Sequence, residues 1–218
     1  MILSYRSAGK AAIASGVIGI VAYVFLIGFL LIRSQDAQNG VLPIRVHDSC
    51  VILQFIFLIP VVTALFKLIQ ERSSNISQSM INVGVGSLGF TILFLLLIFP
   101  KVLADTWYMF PQGVFGVWVI IASWRLKGIV ANWLRWFGIL VGFGLTLVGI
   151  FPVGYAIFVD PIILQIPAPS NEVMDKIPAE TPANILIHQF LYIGSFIGVL
   201  TLPIWTIFIG VSLLRKNK

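Results

Sequence analysis

Six long apolar runs, almost free of charge, constrain this chain more than any other feature. They cover residues 11–32, 50–69, 81–100, 107–124, 136–159 and 188–214, and Lys67 is the one Lys or Arg inside them. None of the eight acids falls within a run. Each run is long enough to cross a hydrocarbon core of about 30 Å as a helix. Lys67 lies near a run end, where a long stem lets its amine reach the headgroups. Charged residues make up 10% of the 218, against the roughly 25% that a water-facing surface requires. The sequence therefore predicts an all-α polytopic bundle of six transmembrane spans, a single domain over 1–218. The first run is read as an anchor rather than a cleaved signal peptide: it is too long for an ordinary h-region, and "IRSQDAQ" offers no small-x-small site.

Sorting the cations by side predicts the orientation. With the N-terminus in the cytoplasm, ten of the 14 Lys and Arg lie inside: Arg6, Lys10, Lys67, Arg72, Arg125, Lys127, Arg135, Arg215, Lys216 and Lys218. Arg33, Arg45, Lys101 and Lys176 lie outside. That bias follows the positive-inside rule and predicts a multi-pass protein of the cell membrane with both termini cytoplasmic. The net charge of +6 is then a matter of topology and of attraction to anionic inner-leaflet lipid, so no nucleic-acid partner is expected. Trp124, Trp133 and Trp136 flank the basic loop "WRLKGIVANWLRW" at the predicted inner edge, and Trp107 with Tyr108 marks an outer edge. Cys50 is the single cysteine, which excludes an intramolecular disulfide and a two-thiol redox mechanism.

The segment "NVGVGSLGF" contains Gly84, Gly86 and Gly89 in the spacing of a dinucleotide-binding fingerprint. Such a loop must follow a strand and open a helix. Here the glycines sit inside an apolar run whose backbone amides a continuous helix already uses. Packing is the reading that remains, because residues without side chains let membrane helices approach closely. Gly138 with Gly142 and Gly194 with Gly198 share that role, and the third, fifth and sixth spans form the expected inner trio. Pro203 is expected to bend the last span and free a carbonyl. The connection 160–187 holds five of the 11 prolines and is expected to be an irregular outer flap, a lid or a partner surface.

Polar residues that would carry chemistry are scarce. His47 and His188 are the two histidines, each at a predicted outer span end. Gln54 continues the face of His47 two turns on, and Tyr192 and Ser195 continue the face of His188. With Asp48 and Asp105 they would line an outward-facing ligand cleft if the second and sixth spans meet. His47 and His188 are also weak candidates for metal ligands, though no His-x-x-x-His or Glu-x-x-His pair fixes two ligands on one helix. No catalytic residue, cofactor motif or mid-membrane acid of a proton-coupled carrier is present.

The stretch "GVFGVWVIIASWRLKGIVANWLRWFGILVGFGLTLVGIFP" (113–152) has a Trp-bearing span, a basic turn and a Trp-x-Gly opening, Trp136-Phe137-Gly138. With the closing "LPIWTIFIGVSLLRK" it resembles uncharacterised six-span bacterial and archaeal membrane protein families, of the domain-of-unknown-function type. The resemblance implies a compact prokaryotic bundle and carries over no catalytic residues. The leading functional reading is non-enzymatic: binding membrane lipid or a small amphiphile in the cleft, or associating with a protein partner or a second copy. The alternatives are a small-solute carrier or accessory subunit, and a metal-assisted hydrolase at the outer leaflet.

Overall fold

A computed structural model describes residues 4–33, 41–72, 77–169 and 181–216. Among these the chain is helical, with no strand. It runs α1 (Tyr5–Arg33), α2 (Val41–Arg72), α3 (Ser79–Ile98), α4 (Met109–Arg125) and α5 (Asn132–Phe158). A 3₁₀ turn (Pro161–Leu164) follows, then α6 (Pro182–Gly194), a π-helical turn (Ser195–Val199) and α7 (Leu202–Arg215). Counting α6 through α7 as one bent rod, five helices are long and apolar enough to cross a membrane. The exception is α4, with 17 residues and so about 26 Å of helix at 1.5 Å per residue.

The passes are antiparallel, and the bundle has two distinct ends. At one, the Tyr5 hydroxyl donates to Glu71 Oε1 (2.5 Å) and Arg72 Nη1 donates to the Lys127 carbonyl (3.1 Å). The turn from α4 to α5 is made there by Gly128 at φ +73°, a conformation glycine adopts without steric cost. At the other end lie Asp105 and Asp160. Thr106 Oγ1 donates to the Ile163 carbonyl (3.0 Å), holding the 3₁₀ turn against the α3–α4 connection.

Close helix approach is set by glycine, at positions that differ in part from those expected. Helix α5 is the hub. A Cβ on Gly113 of α4 would lie 2.5 Å from the Gly149 Cα, and one on Gly116 2.6 Å from the Gly142 carbonyl oxygen. On its other side, Gly144 meets the backbone of Gly198, and Gly194 meets the Gly144 carbonyl. Gly138 lies against Ser123 and Trp205. The expected inner trio is corrected at α3: Gly84 packs on Trp118, whereas a Cβ at Gly86 or Gly89 would meet nothing. Gly84 and Gly86 are two residues apart and so point to opposite sides of the helix. A further stripe seats α1 on α7, with Gly9 against the Gly210 carbonyl and Gly16 against the Pro203 carbonyl. Trp118, Phe55, Phe115, Leu65, Leu145 and Ile209 fill the centre and are at most 2% exposed.

Two segment boundaries also differ from expectation. Helix α2 begins at Val41, well before the apolar run at 50, so His47 and Asp48 stand on the helix itself. The flap is partly helical, since α6 starts at Pro182. Thr181 caps it by accepting from the Asn184 amide (3.3 Å), and proline suits the first helical position, where its missing N–H costs nothing. Within 161–169, Ile163 is buried against Phe151 and Tyr155; residues 170–180 of the expected lid lie outside the described residues.

Candidate functional site

At the Asp105 end the helices separate around a cavity of about 590 Å³, within the range of pockets that hold drug-sized ligands. Each wall has a local reason. On α2, His47, Asp48, Val51, Gln54 and Phe55 recur at three- and four-residue intervals, one face of a helix. Asp105 and Tyr108 come from the connection that leads into α4, and Gln112 from the first turn of that helix. Tyr192, Ser195, Phe196 and Val199 come from α6 and the π turn.

The π turn exists because of Pro203. Proline has no N–H to give to the carbonyl four residues earlier, that of Val199. The chain widens over Ser195–Val199, where the Leu200 amide reaches back five residues to the Ser195 carbonyl (2.9 Å). The Tyr23 hydroxyl of α1 donates to the Val199 carbonyl instead. The freed group is therefore satisfied across the cavity, and the bond ties α1 to the α6–α7 rod. Such turns recur at functional positions in helices.

Six of the seven residues expected to form the cleft line this one cavity: His47, Asp48, Gln54, Asp105, Tyr192 and Ser195. His188 does not. Its ring packs edge-on against Phe151 (5.4 Å) and Tyr155 (5.7 Å), and Nδ1 lies 2.9 Å from the Asn184 carbonyl one turn back. The aromatic pair on α5 draws the ring away from the opening, so the two histidines do not share a site. Among the described residues no group of three His, Cys, Asp or Glu stands close enough to hold a metal ion. The histidine-carboxylate centre that a metal-assisted hydrolase requires is thus not assembled from them. Asp160 has a local task, accepting from the Ile162 amide (2.9 Å) to cap the 3₁₀ turn.

The carboxylates, the imidazole and a buried amide of the lining come from α2, the α3–α4 connection and α4. His47 Nδ1 lies 2.9 Å from the Ala22 carbonyl; a carbonyl only accepts, so Nδ1 carries the proton, and in the neutral ring Nε2 presents a lone pair. Asp48 feels the His47 ring beside it and, more weakly, the charge of Asp105, and Tyr108 lies within range of both carboxyl groups. Asp105 opens onto the cavity, yet the protein around it withdraws enough water to raise its carboxyl above the ordinary carboxylate range. Gln112 is 3% exposed, and its Oε1 has no hydrogen-bond donor. Tyr23, Gln54, Tyr192 and Ser195 add polar groups from α1, α2, α6 and the π turn, and the rest of the lining is apolar. Ile27 and Leu30 of α1 and Phe196 and Leu200 of the rod line the cavity, and all four are also exposed on the outside of the bundle.

Sequence reasoning missed Tyr23 and Gln112. Gln112 did carry a signal, as the single amide side chain in the run 107–124. Tyr23 did not, since its partner is 176 residues away. Comparison with protein-family models, curated proteins and solved structures finds no match for this chain.

Proposed function

We propose that this chain is a six-pass integral protein of the cell membrane, with α4 as its short fourth span and both termini cytoplasmic. Its task in this reading is to hold a lipid or small amphiphile in the cavity at the Asp105 end, without catalysis. The observation that carries the reading is the division of the lining. The ionisable groups and the buried amide come from α2, α4 and the α3–α4 connection, whereas apolar side chains of α1 and of the rod's π turn both line the cavity and are exposed on the outside of the bundle. A headgroup would meet the first and a hydrocarbon chain would leave past the second, into surrounding lipid. A water-soluble solute would gain nothing from an exit of that kind.

Native mass spectrometry of protein extracted in a mild detergent tests this. The expected spectrum shows one bound amphiphile per chain, and loss of that adduct in Ser195→Trp, whose indole intrudes into the cavity from the π turn. Bare protein under the gentlest extraction, with no difference between the two proteins, would remove the reading.

A further inference from the structure

We infer that the headgroup held in this cavity is cationic and bears N–H donors, as an alkyl amine does. The inference rests on the proposed amphiphile site and adds the chemistry that site selects. Asp48 and Asp105 both line the cavity, and among the described residues no Lys or Arg does. Arg45, two positions before His47, is exposed and absent from the lining. An anionic headgroup would therefore be brought against two carboxylates with no Lys or Arg to compensate it and one imidazole, His47, beside Asp48, in surroundings poorer in water than the bulk.

A second observation is independent of charge. Gln112 is buried to 3% exposure in the cavity wall, and no protein donor reaches its Oε1. A buried acceptor without a donor is costly, and its partner must come from what the cavity holds. The His47 ring, its Nδ1 held by the Ala22 carbonyl, adds a nitrogen, Nε2, on the same wall. The cavity thus offers acceptors from α2, from the α3–α4 connection and from α4, and an ammonium group carries the complementary donors. A neutral sugar headgroup would supply donors to Gln112 but bring no positive charge to the two carboxyl groups. A quaternary ammonium would do the reverse.

The test uses the full chain in nanodiscs of zwitterionic lipid, titrated with four probes that share one hydrocarbon tail. These are dodecylamine, dodecyltrimethylammonium, dodecyl glucoside and dodecyl sulfate, with binding read by native mass spectrometry against the Ser195→Trp protein as background. Dodecylamine is expected to bind about tenfold or more tighter than dodecyl glucoside, with dodecyltrimethylammonium between them and dodecyl sulfate weakest. Asp105→Asn is expected to shrink the gap between the amine and the glucoside. Gln112→Met is expected to shrink the gap between the amine and the quaternary ammonium. Equal or tighter binding of the glucoside or the sulfate would overturn the inference while leaving the amphiphile site standing. Failure of all four to exceed the Ser195→Trp background would instead overturn the site. The wild-type series alone decides both outcomes, so neither depends on a variant that folds poorly.

Discussion

Glycine shows how one residue type serves opposite ends within a single helix bundle. Where Gly144 meets the Gly198 backbone, a methyl group has no room, and the nearest atoms are main chain that cannot swing aside. Gly144→Ala should therefore force α5 from the π turn and cost about 1–3 kcal/mol, the usual range for overpacking. Gly86 and Gly89 face open space, so alanine there replaces a poor helix former with a good one and should be neutral or stabilising by up to roughly 1 kcal/mol. Thermal unfolding of the three purified variants in detergent checks the contrast; a Gly86→Ala or Gly89→Ala protein as damaged as Gly144→Ala would contradict it. The spacing Gly84-x-Gly86-x-x-Gly89 was legible as part of an apolar helix and not as a phosphate loop, but the packing role expected of all three glycines holds at Gly84 alone. Which of the three faced a neighbour was not legible, because that depends on the rotation of α3 against Trp118 of a different helix.

Local chain chemistry and long-range rescue combine in the rod from α6 to α7. Pro203 reads from sequence as a break, and its freed carbonyl follows from the missing N–H alone. That the break would widen into a π turn and be mended by a hydroxyl from α1 depends on packing between the first and last passes, which no local pattern records. Tyr23→Phe leaves the Val199 carbonyl without its donor and should cost about 1 kcal/mol, a usual value for hydrogen bonds between membrane helices. Pro203→Ala restores an N–H that can bond the same carbonyl within the helix. In that background Tyr23→Phe should cost measurably less, and a double-mutant cycle on unfolding free energies reads the coupling. Strictly additive losses would mean that the hydroxyl and the proline act independently. The same turn brings Ser195, Phe196 and Val199 to the cavity, so the coupling bears on the site as well as on stability. His47 and His188 illustrate the same limit: each position at a span end was legible, but the Phe151 and Tyr155 rings that hold His188 aside belong to another helix.

Across the whole molecule, the two ends differ in charge, and that difference predicts orientation. Ten of 14 Lys and Arg belong to the segments assigned to the cytoplasm. The fold gathers several of these segments at one end: Tyr5 bonds Glu71, and Arg72 bonds the α4–α5 turn at Lys127. Arg135 stands at the start of α5 with its guanidinium carbon 5.8 Å from the Trp124 ring and 5.0 Å from the Trp136 ring. Cation–π contact of this kind suits the headgroup level, where tryptophan concentrates. The acids Asp48, Asp105 and Asp160 mark the opposite end, and acids weigh little in setting orientation. The apolar helices were legible because each is apolar along its length; five of them, among the described residues, are long and apolar enough to cross a membrane, and α4 at Met109–Arg125 falls close to the expected run 107–124 but has only 17 residues. The orientation is testable in intact cells with a membrane-impermeant maleimide, after Cys50→Ala removes the native thiol. A cysteine at Lys101, in the α3–α4 connection, should label from outside. One at Ser4 or at Lys127 should label only after the cells are permeabilised. Labelling of all three in intact cells would overturn the proposed orientation, and labelling of Ser4 and Lys127 without Lys101 would reverse it and move the cavity to the cytoplasmic leaflet.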